Sequence, residues 1–323
     1  MRAFVTGATG FVGSHVAEEL LRAGYIVRAL VRPGSDVRAL TGLDVERVSG
    51  SLSDKASLYE AMQGCDLLFH VAAFYSTREE DAAQMYAINV GGTKTILQVA
   101  MELGVQRVVY TSTIGTIGQP TDGTLADESV PFERWEESSH YARSKVLAEE
   151  AARAAFRAGL AVVIVNPCAP VGPRDHKPSS TGQRIVDYLN GRMPSYLEGG
   201  INFIAVRDVA VGHRLAAERG VAGERYILGH ADGNLQREDF LRLMERVSGV
   251  PRPLANEGPV RWRRLFDGLW RRRRFTQDYR PPALTANPRK AIEELGLPQT
   301  PLEEAFAEAV AWYRANGYVR ERR

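Results

Sequence analysis

The sequence predicts an α/β fold, a doubly wound parallel sheet carrying a smaller, discontinuous second domain. Three observations predict it. Short β-branched apolar runs alternate with amphipathic helical stretches through the first two-thirds of the chain, as in repeated strand–helix–strand units. Several of these runs are apolar at nearly every position, as expected where helices cover both faces of a sheet. A glycine-spaced turn joins the first run to the first helix, at the carboxyl end of a strand, where such sheets bind ligands.

The 323 residues are 44% apolar and 25% charged, which excludes global disorder. No apolar run approaches the roughly 18 residues of a membrane span. Arg2-Ala3-Phe4-Val5 already reads as a strand, so no signal peptide is expected. Cys65 and Cys168 are too few to staple a fold this size or to build a metal cage, which suits a reducing cytoplasm. A net charge of +2 points to no acidic partner, and nucleic acid is not expected as one.

In chain order, strands are expected at 2–6, 26–30, 45–49, 67–71, 107–111 and 161–165, with helices such as 13–23 and 85–103 between them. After Asn166, five prolines (167, 170, 173, 178 and 194) punctuate the chain to about residue 200, a density that means loops. Two more strands follow at 202–206 and 225–228, separated by a helix that Asp208 would cap. From about residue 230 the pattern is helical with a proline-rich interruption. Residues 1–166 and about 201–228 therefore read as the sheet domain, and about 167–200 with 229–323 as the second.

Thr6-Gly7-Ala8-Thr9-Gly10-Phe11-Val12-Gly13 forms the first strand–helix turn. Gly7 and Gly10 permit a tight turn and close approach of backbone to a pyrophosphate. Gly13 lets helix and strand pack, and the helix start offers unpaired N–H groups to the anion. A plain glycine-rich turn is the alternative, but the strand–loop–helix setting favours a dinucleotide. Thr6, Gly7, Thr9, Gly10, Phe11, Val12 and Gly13 are the candidate contacts. An acidic residue after the second strand would hold a ribose 2′-hydroxyl. Here Val31-Arg32-Pro33 stands there, with no carboxylate before Asp36. A guanidinium at that point suits a 2′-phosphate, so NADP is favoured, with NAD as the alternative. Asp54 either accepts from the adenine amine or caps the 53–62 helix.

Tyr141-Ala142-Arg143-Ser144-Lys145 puts a phenol and an ammonium one helical turn apart on one face. The ammonium would lower the tyrosine pKa towards working pH, ready to pass a proton while hydride moves at a nicotinamide. The chain has only five lysines, so chance placement of one at this spacing is uncommon. Val109-Tyr110-Thr111-Ser112-Thr113 ends the fifth strand, where a hydroxyl can stand beside the phenol. An i,i+4 surface pair is the bland reading.

The glycine loop, Val71-Ala72-Ala73, Asn89, the Thr113/Tyr141/Lys145 group, Asn166-Pro167 and Asn287–Gly296 together resemble an extended short-chain dehydrogenase/reductase. The resemblance covers essentially the whole chain and is nearest to dihydroflavonol-reductase-like members and hopanoid-associated sugar epimerases. It implies a Rossmann-type fold and an NAD(P)-dependent reductase or dehydrogenase. It makes Thr113, with Ser112 as its neighbour and alternative, together with Tyr141 and Lys145 the catalytic residues, and gives Lys145 the nicotinamide ribose. It also implies cofactor contacts at Leu52, Val71, Ala72, Ala73, Asn89 and Pro167, with a purely structural role as the equal alternative for Asn89. Three departures bear on the activity. Ile114-Gly115 replaces the Asp-Glu pair of family dehydratases. Arg32 replaces the acidic residue of many NAD-holding epimerases. Ala205 stands near the place of a common substrate-side histidine.

Interconversion of a ketone and a secondary alcohol is therefore expected, with a carbonyl compound or sugar nucleotide as substrate. An NAD-dependent sugar-nucleotide epimerase and a non-catalytic nucleotide-binding module are the rivals. His70 reads as a hydrogen-bonded core residue, and His140 should point away from the phenol. No metal-ligand spacing appears. The stretch 260–276 holds seven arginines around an apolar stripe, open to burial or to an anionic membrane surface. By analogy with the family, helices 85–103 and 141–158 would pair two copies into a homodimer.

Overall fold

The computed structural model describes residues 1–120, 122–133, 135, 138–253 and 283–320. The 260–276 stretch, and with it the membrane-surface expectation, lies outside the described residues. Among the described residues ten strands occur in chain order: β1 (Arg2–Thr6), β2 (Ile26–Val31), β3 (Glu46–Ser49), β4 (Leu67–His70), β5 (Arg107–Thr111), β6 (Val162–Pro167), β7 (Ala169–Val171), β8 (Ile201–Ala205), β9 (Arg225–Leu228) and β10 (Asn234–Leu235). Seven build the central sheet in the order β3-β2-β1-β4-β5-β6-β9, every neighbouring pair parallel. Strand order reverses beside β1, which puts the ligand crevice over the carboxyl ends of β1 and β4.

Every residue of β4 and β6 is buried, because helices cover both faces. The helices are α1 (Phe11–Arg22), α2 (Lys55–Met62), α3 (Ala82–Tyr86), α4 (Thr93–Glu102), α5 (His140–Arg157), α6 (Ser180–Leu189), α7 (Val206–Arg219), α8 (Arg237–Ser248) and α9 (Leu302–Ala315). Val16 and Leu20 of α1 and Leu215 of α7 fill one core. Leu58, Ile96, Ala148 and Ala152, from α2, α4 and α5, fill the other. A third, separate core forms where Phe203, Phe240 and Phe306 meet with ring centroids 5.3–5.9 Å apart.

Four local features depart from the sequence expectations. The 85–103 helix is not continuous: a π-helical turn at Ala87–Gly92 separates α3 from α4. There Thr93 Oγ1 donates to the Asn89 carbonyl at 2.6 Å, and a Cβ on Gly92 would lie 2.8 Å from that of Leu52. Within the proline-rich stretch, β7 and α6 form, the latter because Ser179 accepts from the Gly182 amide. The 202–206 strand is β8 and pairs with β7 and β10 in a separate three-stranded sheet. Asp208 does not cap α7. It lies inside the first turn, and its carboxylate takes the Thr300 amide at 2.7 Å and hydroxyl at 2.8 Å, pinning the segment before α9.

Candidate active site

The turn after β1 has the shape the glycines foretell. Gly7 has φ +72°, and a Cβ there would stand 2.7 Å from the Ala72 nitrogen. A Cβ on Gly13 would meet the Gly7 oxygen at 2.1 Å. Gly10 precedes α1 without a side-chain cap, and no acid occupies the first turn. The first N–H groups of α1 therefore stay open to an anion. These features fit the pyrophosphate of a dinucleotide. Thr9, Phe11 and Val12 are partly exposed around this turn, while Thr6 is buried.

Thr6 fixes the crevice floor through a one-way chain of hydrogen bonds. The Ala72 amide donates to Thr6 Oγ1 at 3.2 Å, and Thr6 Oγ1 lies 2.7 Å from His70 Nδ1. His70 Nε2 lies 3.0 Å from Thr93 Oγ1, whose own proton goes to Asn89 O. That assigns the proton of His70 to Nε2. Burial brings His70 down to about 3, with Lys145 adding to the effect, so it is the neutral core histidine the sequence suggested. Asn89 is engaged throughout: its amide nitrogen donates to Phe74 O and Ser144 Oγ at 2.9 Å, and its oxygen accepts from Phe74 N at 2.7 Å. It ties the loop after β4 to α5, and a ligand would find its donors already used.

At the end of β2, Arg32 is exposed. The next carboxylate, Asp36, is held by Arg38 at 2.7 Å. Asp54 caps α2 through one oxygen, accepting from the Ala56 and Ser57 amides, so the capping alternative holds. Leu52 is buried against Gly92. Val71 and Ala72 are partly buried and Ala73 exposed beyond β4, and Pro167 ends β6 in the buried interior.

Lys145 is buried. Its Nζ donates to the Thr111 carbonyl at 2.6 Å and sits 4.7 Å from the Tyr110 ring centroid. Burial lowers its pKa to about 7, against the pull of Glu149. Tyr141 departs from the expected direction. Burial, reinforced by Tyr75, pushes its phenol well above the ordinary value, and the partly discharged, carbonyl-bound Lys145 does not reverse this. Of the two hydroxyl candidates, Ser112 is buried and gives its proton to Glu149 Oε2 at 2.6 Å. Thr113 is partly exposed, and its Oγ1 only accepts, from Gly115 N at 3.2 Å, leaving its proton available. His140 turns to Tyr86 and Glu79.

One residue at this sheet end was missed: Glu149 continues the 141–145 spacing by another four, a signal the sequence offered. Among the described residues no acidic or thiol cluster could hold a metal, and no helix is long and apolar enough to cross a membrane.

A glycine-cradled turn at a Rossmann-type switch point, with a phenol, a buried lysine and a free threonine hydroxyl at the same sheet end, defines an NAD(P)-dependent enzyme. The chain belongs to the NAD dependent epimerase/dehydratase family, an extended short-chain dehydrogenase/reductase group whose pattern matches residues 3–229. It is 41% identical to a Synechocystis sp. protein provisionally named dihydroflavonol 4-reductase, over 98% of this chain and 96% of that protein. It is 36% identical to sterol demethylase protein B of Methylococcus capsulatus, over 99% and 100% of the two chains. A Pseudomonas aeruginosa structure described as a nucleoside-diphosphate-sugar epimerase superposes with a TM-score of 0.82 at 28% identity, covering 99% of each chain.

Proposed function

We propose that the protein is an NADPH-dependent reductase that converts a ketone to a secondary alcohol, with Thr113, Tyr141 and Lys145 as its catalytic residues. The observation that carries this reading is the grouping at one sheet end, beside the glycine turn, of the Tyr141 phenol, the buried Lys145 and a Thr113 hydroxyl that keeps its proton. Ketone reduction needs a phenol that gives a proton, whereas alcohol oxidation needs a phenolate that takes one. The upward shift of the partly buried Tyr141, with Tyr75 beside it, favours the phenol form. The nicotinamide, when bound, supplies hydride to the carbonyl carbon. Tyr141 Oη then gives its proton to the carbonyl oxygen while Thr113 Oγ1 donates a hydrogen bond to the same oxygen. Lys145 would hold the ribose, and its ammonium would favour the tyrosinate left by the transfer until a proton from solvent restores the phenol.

Arg32 supports the choice of NADP, since it is exposed with no ion-pair partner among the described residues and Asp36 is occupied by Arg38. The higher identity to the reductase-named relative supports the direction. The similarity to a sugar-nucleotide epimerase structure favours the second reading, an epimerase that keeps NAD. A cytoplasmic homodimer paired through α4 and α5 belongs to the same proposal, and light scattering at twice the chain mass is its check. Tyr141→Phe tests the central reading: turnover should fall at least about 1,000-fold with cofactor binding kept, within the range a positioned proton donor supplies. Retained turnover removes the assignment.

A further inference from the structure

We propose that Glu149 is the positioning residue of this site, fixing the turn that bears Thr113 and balancing the charge of Lys145. The inference rests on the reading of Thr113 and Lys145 as catalytic. Residues 141, 145, 149 and 153 fall on one helical face, so Glu149 reaches under the site from the same helix. Its side chain is 6% exposed, and a carboxylate so buried is retained only where donors surround it.

They do. Oε2 accepts from Ser112 Oγ at 2.6 Å, Thr116 Oγ1 at 2.9 Å and Asn166 Nδ2 at 3.2 Å. Oε1 pairs with Arg153 at 3.0 Å and Arg225 at 3.5 Å. Two of these donors also grip the Thr113 backbone: Thr116 Oγ1, whose one proton is shared between Oε2 and this carbonyl, lies 2.8 Å and Asn166 Nδ2 3.1 Å from the Thr113 carbonyl oxygen. One carboxylate thus withdraws the Ser112 hydroxyl from the crevice and anchors the turn that presents the Thr113 hydroxyl to it.

The second task is electrostatic. Lys145 is faced by Tyr110 and the Thr111 carbonyl from β5, by His70 from β4 and by Glu149 from its own helix. His70 is neutral near neutral pH, and burial keeps Tyr110 protonated. Glu149 is then the anion that favours the ammonium, itself tempered by Arg153 and Arg225.

The test needs no substrate. With five lysines in the chain, each 13Cε-lysine resonance can be assigned by substitution and titrated in the full-length apoprotein. Glu149→Gln should lower the Lys145 midpoint by about one unit or more, as loss of a close opposite charge does. Arg153→Gln, a change at a partly exposed residue, should raise it by a few tenths. Hydrogen exchange of the 113–117 amides should speed by about 10-fold in Glu149→Gln, a loosening of about 1.4 kcal/mol. If Glu149→Gln does not fold, the Arg153→Gln shift alone decides. A Lys145 midpoint unmoved in each variant that folds overturns the proposal. Failure of the catalytic reading would appear separately, as turnover retained in Tyr141→Phe.

Discussion

The rings of Tyr75 and Tyr141 meet edge to face, with centroids 4.9 Å apart and planes at 83°. Tyr75 is 51% exposed, so a residue of the loop after β4 covers the phenol on one side and meets solvent on the other. Such ring pairs contribute about 0.5–1.5 kcal/mol beyond area burial. Tyr75→Ala is expected to lower kcat/KM for ketone reduction about 10-fold, or 1.4 kcal/mol. Tyr75→Phe keeps the ring contact and should stay within about 2-fold. Steady-state NADPH oxidation measures both.

Arg32→Asp should invert cofactor preference. A charge-assisted pair to a 2′-phosphate contributes about 1.5–3 kcal/mol, so NADPH affinity should fall about 10- to 100-fold while NADH affinity holds or improves. Fluorescence titration of the two cofactors gives the ratio.

Lys145 carries a stability penalty with a defined pH window. Its folded pKa of about 7 lies below the unfolded value of about 10.4. Between these values the unfolded chain binds a proton that the native chain does not, so stability rises with pH across the window. Below about pH 7 the full penalty remains. Lys145→Met should therefore melt higher than the parent at pH 6, by roughly 2–4 °C, with the gain vanishing towards pH 10. It should also be inactive. Calorimetry of the apoprotein across this range checks the sign.

Gly13→Ala should damage the turn itself, because the new Cβ would stand 2.1 Å from the Gly7 carbonyl oxygen and backbone cannot yield cheaply. Overpacking of this kind costs about 1–3 kcal/mol or more. A lowered Tm with weakened binding of both NADPH and NADH is the expected result.

The sheet was legible because several of its strands are apolar at nearly every position and its first turn carries glycine, as in Arg2–Thr6 and the turn after it. Local rules also located the capping of α2 by Asp54 and the core role of His70. What they missed depends on contacts distant in sequence. Asp208 has cap chemistry, but Thr300, 92 residues on, claims its carboxylate. The π-helical turn between α3 and α4 lies where Gly92 backs onto Leu52, 40 residues earlier. The direction of the Tyr141 shift follows from enclosure, which the Tyr-x-x-x-Lys spacing does not encode. Whether Ser112 or Thr113 keeps a free proton depends on Glu149, and only the packed α5 reveals that.

The nucleotide carried by the purified chain separates reductase from epimerase most directly. Protein denatured immediately after purification would be analysed by mass spectrometry for released cofactor, and the native protein titrated with NADPH and NADH. An NADPH-dependent reductase should release no stoichiometric NAD and bind NADPH reversibly, more tightly than NADH. Stoichiometric NAD surviving purification would contradict that assignment and make the epimerase the correct reading.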